Sequence, residues 1–183
     1  MGLTLDQLFA ELDHCREAVP IEVLRQRLQQ LEVSIDDLKQ HVNFRDDGYC
    51  RNLVHLGPGY AALVLCWKSG QSSPIHDHSG SACGLRILKG QANEVRYTRT
   101  ADGSLTEADR NSYDEGCVCG TYDADIHTLI NQAPDGEELV TLHVYTPPLR
   151  NYHTYEMDGS SRLCEDQEVL AEERRRRQAA ASV

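Results

Sequence analysis

Two histidines separated by a single residue are the first feature of this 183-residue sequence that could do chemistry. His76 and His78 lie in the segment Ser-Ser-Pro-Ile-His-Asp-His, and in an extended strand the side chains at i and i+2 point to the same side. We therefore expect both imidazoles to project into one space, with Asp77 pointing away. Because imidazole binds iron, zinc, copper and nickel, the pair predicts part of a metal site.

Further imidazoles come from other predicted strands. His127 lies in Ile-His-Thr-Leu-Ile-Asn and His143 in Thr-Leu-His-Val-Tyr, both of which are apolar segments typical of strands. With His127 as the third ligand, the site would consist of three neutral imidazoles and no carboxylate. Such a site leaves a divalent ion with its full charge and about three open positions, which favours an anionic, chelating ligand. The ligand set alone fits both a redox metal and zinc that activates water.

The spacing of these residues resembles the two sequence motifs of the cupin superfamily. The first motif normally contains a glutamate after its histidine pair, and this sequence has Cys83 at that position. The matching positions are Gly70, His76, His78, Cys83 and Gly90 for the first motif, and Gly116, His127 and Asn131 for the second. The resemblance implies a mainly β fold, a jelly-roll barrel with a metal in its mouth.

Within that superfamily the segment from about Tyr49 to Tyr155 resembles cysteine dioxygenase, the type I thiol dioxygenases. The segments that carry the resemblance are 49–54, 65–67, 72–78, Cys83, His127 and 143–148. Thr141 and Ala82 stand where animal members commonly have serine and histidine, which indicates an arginine-type bacterial member.

The resemblance implies a role for each of eight residues. It assigns one Fe²⁺ per chain to the histidine triad, the substrate carboxylate to Arg51 with help from Tyr49, and catalysis to Tyr145, His143 and Cys83. It also implies a thioether crosslink between Cys83 and Tyr145, with His143 next to the tyrosine hydroxyl. The triad consists of His76, His78 and His127. The planar guanidinium of Arg51 suits a carboxylate independently of the resemblance.

The composition of the chain excludes several classes of binding partner. The formal charge of −11, from 18 basic and 29 acidic residues, argues against nucleic acid or an anionic membrane as a partner. No apolar stretch approaches the roughly 20 residues that span a bilayer, and the N-terminus has no secretory signal pattern. The seven irregularly spaced cysteines do not suggest a disulfide framework. We expect a cytoplasmic monomer that acts on a small molecule.

The elements that must position these residues fall into three segments. Residues 1–43 have helical periodicity, with Thr4 and Gln7 placed as a capping box, and are expected to pack on the barrel. Residues 44–160 are expected to form the cupin barrel with the metal site, and 161–183 a charged tail. Strands are predicted at 49–54, 61–67, 83–89, 92–99, 116–122, 126–131, 138–145 and 153–157.

The favoured hypothesis is therefore an iron-dependent thiol dioxygenase that oxidises L-cysteine with O₂ to cysteine sulfinate. The nearest alternative is the related activity on 3-mercaptopropionate, although enzymes of that kind tend to have glutamine in place of Arg51 and glycine in place of Cys83. Another alternative is a zinc or nickel cupin that acts as a hydrolase, an isomerase or a binding module.

Overall fold

Helices precede and follow eleven β-strands in the computed structural model, which describes residues 2–122 and 125–182. The helices are α1 (Leu5–Leu12), α2 (Ile21–Gln30), a short 3₁₀ helix (Asp36–His41) and α3 (Gln167–Ala181). The strands are β1 (Cys50–Leu56), β2 (Ala61–Trp67), β3 (Ile75–His76), β4 (Ala82–Lys89), β5 (Ala92–Arg99), β6 (Leu105–Tyr113), β7 (Val118–Thr121), β8 (Ile126–Ile130), β9 (Leu139–Thr146), β10 (Asn151–Tyr155) and β11 (Ser161–Glu165). Within the described residues, no helix is long and apolar enough to cross a membrane.

The strands form two antiparallel sheets. One has five strands in the order β1-β2-β9-β4-β7, and the other has six in the order β11-β10-β3-β8-β5-β6. The chain passes repeatedly from one sheet to the other, and the two sheets together form a cupin barrel. Short helices precede the first strand. The prediction of a mainly β cupin fold is confirmed.

Strands β2 and β9 are buried on both faces, which explains their nearly continuous apolar sequences. Ala62, Val64, Leu142 and Val144 pack in one cluster with the N-terminal helices. The alternate residues of the same strands face the barrel interior, where Tyr145 joins a second apolar cluster. One set of positions on β9 therefore stabilises the helix layer, and the other set is available for a site.

The N-terminal helices are present as predicted. Thr4 caps α1 through the predicted capping box, in which its hydroxyl accepts from the Gln7 backbone N–H and the Gln7 side chain accepts from the Thr4 N–H. Pro20 immediately precedes α2, whose Leu24 and Leu28 are completely buried.

Two glycines allow α2 to lie close against the sheet. Gly84 on β4 and Gly120 on β7 are directly opposite each other in the strand pairing. A Cβ atom built at Gly84 would lie 2.8 Å from Leu28 Cδ1, and one at Gly120 would lie 3.0 Å from Arg25 Cδ. This pair of glycines, called here the glycine trough, therefore leaves no room between strand and helix for a side chain.

Three of the strands, β3, β6 and β11, lie outside the predicted ranges, and β3 is only two residues long. β6 is mostly exposed and polar, so it lacks alternation, and it forms because it pairs along its length with β5. β11 lies in the expected charged tail and pairs along its full length with β10, so residues 161–165 belong to the six-stranded sheet. After β11 the chain enters α3, whose Val169 is completely buried.

Candidate active site

Three imidazoles converge inside the barrel. One ring nitrogen from each of His76, His78 and His127 lies within 4.8 Å of the others, and all three side chains are buried. The ring centroids are 5.3 Å apart for His76 and His78, 4.7 Å for His76 and His127, and 5.1 Å for His78 and His127. The arrangement has the size and donor type of a three-histidine metal site.

Strand register produces this convergence. β3 lies between β10 and β8, and His76 is directly opposite His127 in the antiparallel pairing. The regular strand ends at His76, but His78 still joins the cluster, because the carboxylate of Asp77 is held on the other side by the Tyr155 hydroxyl at 2.6 Å and the His153 backbone N–H at 2.8 Å. Asp77 thus points away from the imidazoles, as the sequence predicts.

Each imidazole has a partner at Nδ1, which leaves its Nε2 for the interior. His76 Nδ1 is 3.0 Å from the carbonyl oxygen of Pro74, and His127 Nδ1 is 2.7 Å from a carboxylate oxygen of Glu94. Both of these partners only accept, so Nδ1 carries a proton and Nε2 is the nitrogen left for a metal ion. His78 Nδ1 is 3.3 Å from the Thr121 hydroxyl, and its Nε2 is 3.4 Å from that of His127.

Burial keeps two of these rings, those of His76 and His78, neutral. It lowers the pKa of His76 to about 3, with a further contribution from His127, and lowers the pKa of His78 well below its ordinary value. A neutral imidazole is the form that donates a lone pair to a metal ion. His76 and His78 are thus ready to bind a cation without first releasing protons at neutral pH.

Glu94 on β5 is a site residue that the sequence analysis missed. Only 2% of this residue is exposed, and its second carboxylate oxygen accepts from Tyr113 Oη at 2.9 Å and from Arg96 Nε at 3.1 Å. Burial alone would raise the pKa of Glu94, but the hydrogen bonds from His127 and Tyr113 and the charge of Arg96 lower it to about 2. The carboxylate is therefore ionised and fixes the orientation of the His127 ring. Its signal in the sequence is its alternation with buried Ala92, which places it on the inner face of β5.

Arg51 occupies the opposite side of the interior. It lies on β1, its Cζ is 5.5 Å from the ring centroid of Tyr145, and one of its Nη2 hydrogens is donated to Asp166. Burial opposes a charge on this side chain, yet its pKa is well above the ordinary value because of Tyr145, Asp166 and Tyr49. Among the residues that the structure describes, Arg51 Nε is the single buried side-chain nitrogen or oxygen without a hydrogen-bond partner. An acceptor is therefore missing at this position.

A chain of hydrogen bonds leads to Tyr145 along β9. Trp67 Nε1 donates to the Thr141 hydroxyl at 3.2 Å, and that hydroxyl is 2.9 Å from His143 Nε2. Because indole only donates, the Thr141 oxygen accepts from Trp67 and its own hydrogen is available for His143 Nε2. His143 Nδ1 then carries the proton and donates to Tyr145 Oη at 3.3 Å. The Tyr145 hydroxyl hydrogen is consequently available for a ligand.

Cys83 lies directly opposite Tyr145 in the pairing of β4 with β9. Its sulfur is 3.7 Å from His143 Nδ1, and burial raises the thiol pKa far above its ordinary value. Side chains that are directly opposite in an antiparallel pair have Cβ atoms about 5 Å apart, so Cys83 and Tyr145 are neighbours on the inner side of the sheet. The thiol is neutral and protected from solvent.

All eight residues singled out from the sequence line one small cavity. They are Tyr49, Arg51, His76, His78, Cys83, His127, His143 and Tyr145. Among the residues that the structure describes, no aspartate or glutamate lines the cavity, and Arg51 brings a positive charge into it. The structure brings these residues together, whereas their chemical roles remain predictions.

Comparison with known proteins agrees with this geometry. The sequence model of the family "Cysteine dioxygenase type I" matches residues 4–158. Cysteine dioxygenase type 1 from Danio rerio is 27% identical over 158 residues, which cover 84% of this chain and 76% of that protein. The human protein of the same name is 28% identical over 156 residues, 83% of this chain and 75% of that protein. An uncharacterised Klebsiella pneumoniae protein with a double-stranded β-helix domain aligns with a TM-score of 0.49 at 16% identity, over 74% of this chain and 97% of that one.

Proposed function

The chain belongs to the cysteine dioxygenase type I family, and from this we propose that it oxidises L-cysteine with O₂ to cysteine sulfinate at a single ferrous ion. The observation that carries the proposal is the unpartnered Nε–H of Arg51, in the same cavity as three buried imidazoles. One ligand with a carboxylate at one end and a thiol at the other would satisfy both sides of the cavity.

The residues fit the metal that the family implies. His76, His78 and His127 would hold Fe²⁺ through Nε2, and none of the described residues that line the cavity is a carboxylate that would compete for the remaining positions. When bound there, iron would supply the redox change and the open positions that thiol and dioxygen chemistry requires.

Arg51 would bind and orient the substrate. Its guanidinium is charged and planar, and the cavity around it is small and partly apolar, with Leu65, Leu85 and Leu129 in its wall. A carboxylate bound to Nε–H in such surroundings is held strongly, because little water competes for the hydrogen bonds. The carboxylate of the ligand would bind Arg51 and its thiol would lie near the three imidazoles, so the distance between these two groups is fixed. This limits the substrates to short thiols.

Tyr145 would donate a hydrogen bond to the reacting groups. Because His143 occupies the tyrosine oxygen as an acceptor, the phenol hydrogen can point toward a ligand. Burial raises the pKa of Tyr145 far above its ordinary value, so the phenol retains its proton through the reaction. The ring is 5.4 Å from that of His78 and so lies next to the metal-binding nitrogens.

We further propose a thioether between Cys83 and Tyr145. The bond would join the sulfur to a ring carbon next to the hydroxyl, with loss of the thiol hydrogen and one ring hydrogen. This is a two-electron oxidation, and dioxygen, the co-substrate of the proposed reaction, is the oxidant and becomes hydrogen peroxide. Intact-mass measurement after turnover should show a species lighter by two hydrogens, and Tyr145→Phe should remove that species.

The main experiment is oxygen uptake by iron-reconstituted protein with cysteine, 3-mercaptopropionate and cysteamine. We expect the highest kcat/KM with cysteine, and a product that contains two atoms of isotopically labelled dioxygen. Metal-free and zinc-loaded protein serve as controls and should consume no oxygen. Preference for 3-mercaptopropionate would assign the alternative substrate. If no thiol is oxidised and freshly purified protein contains one equivalent of zinc, the dioxygenase proposal is wrong.

A further inference from the structure

Asp166 is the residue immediately before α3, and its carboxylate reaches the arginine that lines the cavity. Oδ2 accepts from Arg51 Nη2 at 2.5 Å, while Oδ1 accepts from the backbone N–H groups of Glu168 and Val169, each at 3.1 Å. The backbone N–H of Asp166 donates to the carbonyl oxygen of Arg150 at 2.9 Å. With 2% of its surface exposed, Asp166 is fixed from several directions.

This contact comes from a part of the chain outside the family match. The matched stretch ends at residue 158, and β11, Asp166 and α3 all follow it. β11 is anchored by its pairing with β10, and Val169 in the first turn of α3 packs with the apolar residues around the cavity. The position of Asp166 is therefore set by the fold, and family membership does not supply the contact with Arg51.

The contact leaves Arg51 with an open donor. A guanidinium has five N–H donors, and Asp166 accepts from Nη2, whereas the Nε–H is buried without a partner. An arginine side chain has many rotamers, and a buried carboxylate that holds one nitrogen removes most of them. Asp166 thus prevents the guanidinium from turning to satisfy its own Nε–H elsewhere.

We propose that Asp166 is a positioning residue that holds Arg51 ready for a substrate carboxylate. The inference rests on the proposed function, because it takes Arg51 as the group that binds the carboxylate of a small thiol. Asp166 does not touch that substrate; it acts through the orientation of the guanidinium. Binding of thiols that contain a carboxylate therefore depends on Asp166, and binding of thiols without one does not.

The test is Asp166→Asn, which retains a side-chain oxygen to cap α3 but removes the negative charge from Arg51. Glu168→Gln is the matched control, because it removes an exposed carboxylate two residues away that does not contact Arg51. For cysteine, we expect KM to rise by about tenfold or more while kcat changes by less than about threefold. Anaerobic calorimetry should show weaker binding of cysteine and unchanged binding of cysteamine, a thiol amine without a carboxylate. A purely structural role would weaken both ligands equally.

Two further measurements keep the inference separate from folding and from the proposed function. Asp166→Ser caps the helix but is too short to reach Arg51, so it should reproduce the effect of Asp166→Asn. In metal-free protein, urea unfolding of Asp166→Asn, Arg51→Met and the double variant should give non-additive losses. Additive losses, tighter cysteine binding, or identical behaviour of Asp166→Asn and Glu168→Gln in an active enzyme would overturn the inference. An inactive wild-type protein would instead overturn the proposed function.

Discussion

The two sheets of the barrel contribute different chemistry to one cavity. The six-stranded sheet and the turn after β3 provide the three imidazoles, and β5 of the same sheet provides Glu94 behind them. The five-stranded sheet provides Arg51, Cys83, His143 and Tyr145. One wall is suited to hold a metal ion, and the opposite wall is suited to hold and polarise an organic ligand.

The walls also differ in how their polar groups are supported. On the metal side, His76 and His127 are oriented by partners outside the cavity, the Pro74 carbonyl and the Glu94 carboxylate. On the ligand side the hydrogen bonds pass from Trp67 through Thr141 and His143, and end at the hydroxyl of Tyr145, which lines the cavity. The comparison indicates that metal binding and substrate handling can be disrupted separately, one sheet at a time.

The largest effect is expected for His127→Ala, which removes one of three imidazoles from the metal wall. Iron content after reconstitution should fall to background, and oxygen uptake with cysteine should disappear with it. Metal analysis and circular dichroism measure these outcomes, with the exposed His14→Ala as control. Full iron content in His127→Ala would contradict the assignment of this wall.

The next effect is expected for Arg51→Met on the ligand wall. Truncating one partner of a buried, charge-assisted interaction costs about 2–5 kcal/mol, so kcat/KM for cysteine should fall by about thirtyfold or more. Iron content should stay at the wild-type level, because Arg51 is not part of the histidine cluster. Arg45→Met, an exposed arginine, is the control for charge. A parallel loss of iron would show that the two walls are not independent.

Glu94→Gln should weaken the metal wall without abolishing it. Carboxylates that orient a ligating histidine typically contribute about 10–100-fold to metal affinity. Competition with a chelator should therefore release iron from Glu94→Gln at lower chelator concentrations than from the wild type or from Glu107→Gln, an exposed carboxylate on β6. Unchanged retention would mean that His127 needs no support from β5.

The smallest effect is expected for Thr141→Val, which interrupts the hydrogen-bond chain on the ligand wall. It leaves Trp67 Nε1 and His143 Nε2 without a hydrogen-bond partner, which costs about 1–3 kcal/mol of free energy. If part of this cost is paid in the transition state, kcat should fall by about tenfold. Thr141→Ser retains the hydroxyl and should stay within about twofold of the wild type. Equal rates for the valine and serine variants would remove this chain from the mechanism.

Much of the site could be predicted because its residues carry recognisable chemistry at fixed spacing. The alternation of an extended strand placed His76 and His78 on one side, and a third imidazole on another strand completed the group. The apolar sequences of β2 and β9 were recognisable because both strands are buried on two faces. Family resemblance supplied Arg51 and Tyr145, which no local pattern connects to the histidines.

What could not be predicted depends on register and on long-range contacts. Glu94 reaches His127 because β5 pairs with β8 in one register, and local sequence does not contain that register. β6 was missed because neither of its faces is apolar enough to produce alternation. Asp166 lies in the segment that was expected to be a charged tail, so its contact with Arg51 could not be predicted. The contact forms because β11 pairs with β10 of the barrel and so brings Asp166 close to Arg51.

The glycine trough limits how this enzyme could be redesigned. Gly84 directly follows Cys83 on β4, and its outer side is closed by Leu24 and Leu28 of α2. A larger residue at position 84 must displace either the helix or the strand that carries the thiol. Protein engineers who wish to reshape the cavity would therefore substitute the inward-facing Leu85 of β4 rather than Gly84, where an added side chain would collide with α2.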